Sequence, residues 1–415
     1  AIPLFEAAET ASSELISGVW RHRSKYMLAD GVTWLGDYER AHRLFLEAAK
    51  LSHNAEPHAV ALAVAMAALN LLRMGRPEKA IELLQGPEGV PHALECGVPT
   101  AAITCLGVLA EARLALGRAL FFDNRISGTG TMNCATCHLP HQGWTVNTTL
   151  SPANPGWVER RNSPTLINVG YNKALIWDGR AWPLEKQALG STKNPVHKGQ
   201  DLDKLMAMLK EDDSMVKMFE DAYGSEPNPA DYGRALAVFQ RHFIVTGPSP
   251  FDRHAQGDAS AMDEAAVRGM ALFKGKGNCI ACHNGPNFTD SGFYNVGLEH
   301  NPVLDDAAHQ KVLKFDAKRT KNADWETITT DPGRYLITHE DADWGRFKTP
   351  TLRNLADTAP YMHDGRYWTL EEVIDHYDRG GDGARNQDPR IKPLALGDGE
   401  KADLQAFLAA LRGPL

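Results

Sequence analysis

Two short cysteine motifs constrain this chain more than any other feature of its sequence. Residues 134–138 read Cys-Ala-Thr-Cys-His and residues 279–283 read Cys-Ile-Ala-Cys-His, so both follow the pattern C-x-x-C-H. Two thiols at this spacing can each add to a vinyl group of one haem, and the adjacent imidazole then becomes the proximal iron ligand. The motifs therefore predict two covalently bound haem c groups, attached through Cys134, Cys137, Cys279 and Cys282 and ligated by His138 and His283.

A zinc site built from the two cysteine pairs is the alternative. It leaves both trailing histidines unexplained, together with a second similarity between the two regions. Gly117-Arg-Ala-Leu-Phe-Phe122 precedes the first motif, and Gly269-Met-Ala-Leu-Phe-Lys274 precedes the second. A helix that ends in a haem-binding loop, used twice, is the simpler interpretation.

Composition excludes several other classes of protein. The 415 residues include 44 Lys and Arg against 52 Asp and Glu, a formal charge of −8, which argues against a nucleic-acid partner. No apolar run reaches the length that a transmembrane segment needs. The chain opens at Ala1 without a Met or an export signal. Because this mode of haem attachment takes place outside the cytoplasm, we expect a periplasmic protein whose signal peptide has been removed.

The sequence predicts a mainly α fold of three domains. Residues 1–114 form an N-terminal helical domain, in which Arg76–Leu84 resembles the second helix of a tetratricopeptide unit. One such unit is weak support, so a tetratricopeptide-like arrangement and a plain helical bundle both stay open. Residues 115–258 and 259–415 form the first and second cytochrome c-like haem domains.

Hydrophobic periodicity and helix start signals define the individual elements. Helices are expected at Glu39–Leu51, Pro57–Met74, Glu78–Leu84 and Ala230–Val245. Gly247–Asp258, rich in Gly, Pro and Ser, is expected to be a linker. The tail from Leu370 to Leu411 is expected to be helical with an interruption at Gly380–Gly383, and few strands are expected.

Motifs outside the haem loops resemble those of the bacterial dihaem cytochrome c peroxidase and MauG superfamily. The resemblance covers about residues 115 to 415, in the family's order, and does not cover the N-terminal extension. It rests on segments 116–123, 161–165, 177–181, 285–290, 347–354 and 358–365. In this family the first haem reacts with hydrogen peroxide and the second passes or stores electrons, which assigns His138 to the reactive iron and His283 to the second.

The second iron's other ligand separates the branches of the family. Cytochrome peroxidases use a Met that follows a Pro-Tyr-Phe-His motif, and the matching position, counted from His363, is Tyr377. MauG-like enzymes place Tyr there, and a phenolate lowers the reduction potential whereas a thioether raises it. His376 is the rival ligand, Met362 is a poorer one, and a surface tyrosine is the alternative interpretation of Tyr377.

The first haem departs from the peroxidase pattern on its open side. Resting cytochrome peroxidases block that iron with a His in a Gly-His-Gly-Trp loop, and Pro155 matches that His here. Proline cannot bind iron, so the site should stay open to peroxide. His141 lies too close to the attachment motif to replace that His, and we interpret it as a loop or propionate-side residue.

Peroxide cleavage also needs a group that moves a proton between the two oxygens. The family uses a Glu in a Pro-Val-Glu-Met stretch and a Gln shortly before it. This chain keeps the Gln as Gln187 and places His197 where the Glu would be. An imidazole can shuttle protons near neutral pH, although a solvent-exposed loop His remains the alternative.

Two further sites follow from the resemblance. Trp177 matches the tryptophan through which electrons pass between the haems. Asn162, with the backbone carbonyls of Thr358 and Pro360, matches the family's calcium site. Cys96 and Cys105 belong to the N-terminal extension, where a disulfide and two separate thiols are equally consistent with an oxidising compartment.

The resemblance is closer to the MauG-like branch, which includes MauG and MbnH. It implies an enzyme that uses hydrogen peroxide to form a high-valent, bis-ferryl-type haem pair, which oxidises Trp or Tyr residues of a partner protein. The alternative is a peroxidase that reduces hydrogen peroxide with electrons from a small cytochrome or cupredoxin. A non-enzymatic electron-transfer cytochrome would need two closed irons, which Pro155 argues against.

Overall fold

The protein is mainly helical, as the sequence predicts. A computed structural model describes Ala29 and residues 37–52, 57–74, 76–85 and 99–415. The chain divides into two compact units, one of Ala1–Leu116 with Leu209–Asp231 and one of Gly117–Met208 with Tyr232–Leu415. The N-terminal helical domain of residues 1–114 and the two haem domains that divide near residue 258 stay predictions. No helix in the described ranges is long and apolar enough to cross a membrane.

The α-helices of the described residues are numbered here in chain order. They are α1 (Tyr38–Ser52), α2 (Pro57–Arg73), α3 (Pro77–Gln85), α4 (Pro99–Phe121), α5 (Leu184–Lys193), α6 (Leu202–Lys210), α7 (Asp213–Tyr223), α8 (Pro229–His242), α9 (Pro250–Ala255), α10 (Glu264–Lys274), α11 (Ala307–Arg319), α12 (Tyr335–Thr338), α13 (Leu370–Asp378) and α14 (Asp398–Ala409). Two short strands, β1 (Phe293–Tyr294) and β2 (Phe347–Lys348), pair antiparallel, with Phe293 opposite Lys348.

The first unit is built on small side chains. Buried alanines of α1 and α2, among them Ala41, Ala48, Ala63 and Ala67, let the two helices pack closely around Phe45. The helices expected at Glu39–Leu51, Pro57–Met74 and Glu78–Leu84 are confirmed as α1, α2 and α3. The tetratricopeptide-like arrangement stays a prediction, and the pairing of Cys96 with Cys105 lies outside the described residues.

The second unit contains the same helix pair twice. Gly117 of α4 lies against α8 with Phe239 beside it, and Gly269 of α10 lies against α14 with Phe407 beside it. A Cβ atom added to either glycine would overlap a backbone carbonyl of the facing helix. The two helices can therefore approach this closely only because each glycine lacks a side chain. This pair explains why the sequence repeats a glycine shortly before each cysteine motif.

A second repeat lies in the loops that follow the haem motifs. Asn168 and Asn354 both adopt the left-handed conformation, with φ of 56° and 55°. Each is followed by a tight loop closed by a single antiparallel bridge, Leu175 to Ala181 in one copy and Tyr361 to Tyr367 in the other. These loops are not helical, so both haem regions combine one helix pair with an irregular lining.

Two predicted elements differ from the structure. The expected linker Gly247–Asp258 contains the short helix α9, because Ser249 and Asp252 form a reciprocal capping box at its start. The tail is interrupted over a longer stretch than Gly380–Gly383, since helix α13 ends at Asp378 and α14 begins at Asp398. Three glycines at positive φ begin that interruption.

A buried ion network holds the loops of the second unit together. Arg161 contacts Asp331 at 2.6 Å and Asp178 at 2.7 Å, and Arg160 contacts Asp316 at 2.7 Å. The network comprises Arg160, Arg161, Arg180, Asp178, Asp316 and Asp331. Burial by itself raises the pKa of Asp331, but the guanidinium groups of Arg160 and Arg161 bring that pKa below its usual range.

We predict that Gly269→Ala destabilises the holoprotein, whereas Gly399→Ala does not. The added Cβ at residue 269 overlaps the Asp403 carbonyl, and overpacking of this kind costs about 1–3 kcal/mol. A Cβ at Gly399 meets open space in helix α14, and such a change stabilises by about 0.4–1 kcal/mol. Thermal unfolding midpoints compare the two variants, and equal midpoints would contradict the close approach.

We also predict that Asp331→Asn lowers stability by about 3 kcal/mol near neutral pH, because two buried guanidinium groups each lose one of their two carboxylate partners. Since the folded-state pKa of Asp331 is depressed, its contribution is complete above the unfolded pKa of about 3.9 and is lost as pH falls below it. Urea unfolding at pH 7 and pH 3 measures the difference. Asp341→Asn, at an exposed ion pair with Arg385, is the control and should change stability by less than about 1 kcal/mol.

Candidate active site

The first cysteine motif lies in a short helical turn that its neighbours hold in place. Cys134–Thr136 form a 3-10 turn, and Asn133 and Thr136 cap each other reciprocally at its start. His138 then places its Nδ1 atom 3.1 Å from the carbonyl oxygen of Trp144. Since Nδ1 donates to that carbonyl, Nε2 is the nitrogen left to bind a metal.

The second motif repeats this arrangement. Cys279–Ala281 form a 3-10 turn after Asn278, which has a φ of 49°. The Nδ1 atom of His283 lies 3.0 Å from the carbonyl oxygen of Phe288. Burial lowers the pKa of His283, and it lowers the pKa of His138 to about 4. Both imidazoles are therefore neutral, which is the form that coordinates iron.

The first motif opens into a cavity of about 420 Å³. Cys134, Cys137 and His138 line it, and so do three residues that the sequence analysis assigned to peroxide chemistry, namely Trp177, Gln187 and His197. Helix α5 supplies Gln187. The cavity therefore brings together the first attachment site and the predicted catalytic residues.

Charge in the first cavity suits a haem. Its lining has a large excess of cations over carboxylates, and a haem carries two anionic propionates that such cations can neutralise. The cations are Arg160, Arg161, Arg180, Lys186, Lys198, Arg319 and Lys348, and the carboxylates are Glu159 and Asp316. The donor set of two thiols and one imidazole fits covalent haem attachment. None of the four motif cysteines forms a disulfide, so all four sulfur atoms can form thioether bonds.

The loop that matches the family's Gly-His-Gly-Trp loop, with Pro155 at the position of the blocking histidine, does not belong to the described lining of this cavity. Pro155 is exposed, and Trp157 packs against Phe315 with their ring centroids 5.1 Å apart. Neither Pro155 nor His141 belongs to the described lining of the first cavity, and His141 is exposed. The described lining does contain another histidine besides His138, which is His197.

The second motif opens into a cavity of about 220 Å³. Cys279, Cys282 and His283 line it, and Tyr377 of helix α13 lines it as well. Burial raises the pKa of Tyr377, so the phenol is neutral in the absence of a nearby cation. A coordinated metal ion reverses that balance and favours the phenolate.

The rival ligand His376 is engaged elsewhere. Its Nε2 atom lies 2.8 Å from the carbonyl oxygen of Val296, and its Nδ1 atom lies 3.3 Å from the hydroxyl of Tyr367. It is fully buried and is absent from the described lining of the second cavity. Met362 does line that cavity. The geometry therefore favours Tyr377 over His376 as a possible ligand and leaves Met362 as a second one.

Trp177 lines both cavities. Its indole nitrogen donates a hydrogen bond to the carbonyl oxygen of Asn162 at 2.8 Å, and its own carbonyl accepts one from the backbone of Lys348 at 2.7 Å. The side chain is buried. Two independent backbone contacts thus fix Trp177, which is one of several residues that line both cavities.

The predicted calcium ligands lie near one another at the second cavity. Asn162, Thr358 and Pro360 all line it, and the Asn162 amide donates to the Thr148 carbonyl at 2.8 Å. In the described part of the chain, no group of three or more His, Cys, Asp or Glu side chains forms a metal site. The calcium site, which would depend on amide and carbonyl oxygens, stays a prediction.

Two residues of the cavities were missed by the sequence analysis. Glu159 lies beside His197 in the first cavity, with its carboxylate 2.9 Å from the ring Nε2 atom. Lys348 lines both cavities, and burial lowers its pKa to about 8. No short-range pattern marks either residue, although Glu159 directly precedes the Arg-Arg-Asn-Ser-Pro-Thr segment and Lys348 belongs to the Phe-Lys-Thr-Pro-Thr segment.

Known proteins match the chain across this region. The family model for di-haem cytochrome c peroxidase matches residues 111–260. Cytochrome-c peroxidase IdrP1 of Pseudomonas sp. (strain SCT) is 39% identical over 304 residues, which are 72% of this chain and 80% of that protein. Methylamine utilization protein MauG of Methylorubrum extorquens is 38% identical over 328 residues, which are 79% and 82% of the two chains.

Solved structures match as well. A MauG-like protein associated with microbial copper homeostasis has a TM-score of 0.63 and 30% identity, and the match covers 73% of this chain and 90% of that one. The diheme peroxidase BthA from Burkholderia thailandensis has a TM-score of 0.55 at 22% identity, which supports the fold. The chain therefore belongs to the family of di-haem cytochrome c peroxidases and MauG, haem-dependent oxidoreductases that act on peroxide and hold two haem groups.

Proposed function

We propose that this protein is a MauG-like enzyme that uses hydrogen peroxide to oxidise Trp or Tyr side chains of a partner protein. The observation that carries the proposal is the position of Tyr377 in the second cavity, on the same lining as His283. When bound, the two haem groups, attached as haem c, would hold the two oxidising equivalents that hydrogen peroxide supplies. The chain's own residues determine whether the oxidised haem pair persists or is quickly reduced by a donor protein.

Tyr377 favours storage. A phenolate ligand lowers the reduction potential of an iron centre and a thioether raises it. A low potential makes the second site a poor entry point for electrons from a small donor protein. His283 and Tyr377 therefore suit a site that holds oxidising power until a suitable aromatic side chain is near.

The first cavity favours direct reaction with peroxide. The residue aligned with the family's blocking histidine is Pro155, which is exposed and has no metal-binding atom in its side chain. Gln187 and His197 line the cavity, so an amide and an imidazole are available to orient peroxide and move its proton. This arrangement requires no prior reduction to open the site.

Trp177 would pass electrons between the two sites. It lines both cavities and is held by hydrogen bonds to Asn162 and Lys348. A buried, fixed indole offers an aromatic system at the position that the family uses for this purpose. We also propose a calcium ion at Asn162, Thr358 and Pro360, and a periplasmic location consistent with thioether attachment.

A detoxifying peroxidase is the second candidate, because several relatives, including the 39% identical IdrP1, are named cytochrome-c peroxidases. Such an enzyme reduces peroxide with electrons from a small cytochrome or cupredoxin. Met362, which lines the second cavity, is the residue that would serve this function as ligand. Tyr377 and Pro155 argue against it.

We predict that the diferric protein reacts with one equivalent of hydrogen peroxide without any added reductant. The as-isolated protein should show one high-spin and one low-spin haem by electron paramagnetic resonance, because the first site would hold its iron through His138 alone and the second through His283 and Tyr377. Peroxide should then produce a near-infrared band from the coupled haem pair. Reaction only after half-reduction with ascorbate would favour the detoxifying peroxidase instead.

We further predict that Tyr377→Met abolishes the near-infrared band and raises the potential of the second haem, because a thioether replaces the phenolate. Redox titration and the peroxide reaction measure both effects. Tyr361→Phe is the matched control, since Tyr361 lines the same cavity but its hydroxyl bonds the Leu355 carbonyl at 3.2 Å. Equal potentials in Tyr377→Met and the unmodified protein would refute the role of Tyr377.

A further inference from the structure

The first cavity contains a carboxylate that the resemblance does not assign. The Oε1 atom of Glu159 lies 2.9 Å from the Nε2 atom of His197, and both residues line the cavity. The two residues are far apart in sequence, so the fold brings them together. The family's distal carboxylate is missing at position 197, and Glu159 supplies a carboxylate within hydrogen-bond distance of that position.

The contacts around His197 extend beyond this pair. Its Nδ1 atom lies 3.4 Å from the hydroxyl of Ser191, and that hydroxyl accepts a hydrogen bond from the Lys198 ammonium at 2.7 Å. Ser191 and Gln187 lie one turn apart on helix α5, so they share a face. Glu159, Ser191, His197 and Lys198 all line the first cavity, and together they form a connected polar chain.

The chain of contacts determines which ring nitrogen can take up a proton. An ionised carboxylate only accepts hydrogen bonds, so Nε2 carries a hydrogen and donates it to Glu159. Nδ1 then holds the free lone pair, on the side of Ser191. When Nδ1 is protonated it can donate to the Ser191 oxygen, so His197 has partners in both protonation states.

Among the described residues this pair differs from the pairs of His300 and His309. The carboxylate side chains facing His300 and His309 are 64% and 56% exposed, whereas the Glu159 side chain is 16% exposed. The carboxylate side chain of the His376–Asp382 pair is 13% exposed, but that pair is longer, at 3.7 Å, and does not belong to the first cavity's described lining. A less exposed carboxylate interacts more strongly with the adjacent imidazole, because less water screens the charge. Glu159 is thus placed to affect the basicity of His197.

We propose that Glu159 is the positioning residue and proton partner of His197, so that an imidazole–carboxylate pair replaces the family's single distal Glu. The proposal rests on the proposed function, in which His197 handles the proton of peroxide. His197 takes a proton from one peroxide oxygen as that O–H bond breaks and an N–H bond forms at Nδ1. The same proton returns to the other oxygen as the O–O bond breaks, and that oxygen leaves as water, so the ring is neutral again. The two electrons that this cleavage consumes would come from the two haem groups of the proposed function, which become oxidised. Glu159 stabilises the imidazolium between these two transfers.

Cyanide binding to the ferric holoprotein tests the pair without requiring turnover. Hydrogen cyanide must lose its proton to bind as the anion, so its association rate reports the distal base at an open iron. Potassium cyanide is the probe, and stopped-flow absorbance from pH 5 to pH 9 gives the rate. His197→Gln should slow association about a hundredfold, the lower range for general-base catalysis.

Glu159→Gln should change the pH profile in two ways. The plateau rate should fall several-fold, because the ring loses the carboxylate that orients it and stabilises its protonated form. The acid limb should move to lower pH, because removal of a neighbouring negative charge disfavours the imidazolium. Lys198, which donates to Ser191 beside His197, and His138, which lines the same cavity, are present in both proteins. Glu159→Asp should return the acid limb toward the original position, which a purely structural role would not do.

Two comparisons make the outcome decisive. In a double-mutant cycle the effect of Glu159→Gln should vanish once His197 is Gln, because the carboxylate acts through the ring. Glu185→Gln is the matched control, since Glu185 pairs with Arg241 and does not belong to the described lining of the first cavity. It should leave the cyanide profile unchanged.

The possible failures are distinguishable. If Glu159→Gln and Glu159→Asp both retain full haem content and the original profile, the pair is refuted while the proposed function stands. If the unmodified ferric protein binds no cyanide, its first iron is closed, and both the pair and the proposed function are refuted. If Glu159→Gln lowers the rate equally with His197 present or absent, Glu159 does not act through His197 and the proposal fails.

Discussion

The hydrogen bond from each motif histidine to a nearby backbone carbonyl is the contact on which both sites depend. It fixes the Nδ1 hydrogen of His138 on Trp144 and that of His283 on Phe288. Each ring is thereby oriented, and its Nε2 atom is left free for iron. The adjacent cysteines are fixed by the same short turns. Without these two bonds the Nε2 atoms would have no fixed direction, and the residues across each cavity could not be assigned to one side of an iron.

The second unit contains the same Asp–Arg loop twice, with a different side chain before the aspartate in each copy. The Asp178–Arg180 pair has its counterpart in Asp364–Arg366, and both have an Nε–carboxylate distance of 2.9 Å. The residue that precedes the aspartate is Trp177 in one copy and His363 in the other. Trp177 lines both cavities, whereas His363 lines only the second, where its ring stacks on Phe347 with the centroids 3.6 Å apart. A loop that is repeated within the chain can thus hold residues of different chemistry at matching positions.

Local signals predicted much of this structure. Each haem loop is encoded by a five-residue motif, and each preceding helix by a contiguous periodic stretch. Motif and periodicity therefore suffice to predict these elements. The short helix α9 was missed because its capping box lies in a segment rich in turn residues. Glu159 and Lys348 were missed for a different reason. Their places in the cavities depend on residues that are distant in sequence. No local pattern encodes which side chains a fold brings into one cavity.

Such a contact between residues distant in sequence occurs in the first cavity, between His197 and Glu159. The sequence resemblance places His197 where the family has a Glu, which predicts a changed acid–base group. The cavity contains both an imidazole and a carboxylate, in contact at 2.9 Å. In our proposal the acid–base property belongs to the pair, since the carboxylate orients the ring and stabilises the imidazolium during proton transfer. A loss at one position can therefore be compensated at another that alignment treats as unrelated, provided that the fold brings the two side chains within hydrogen-bond distance.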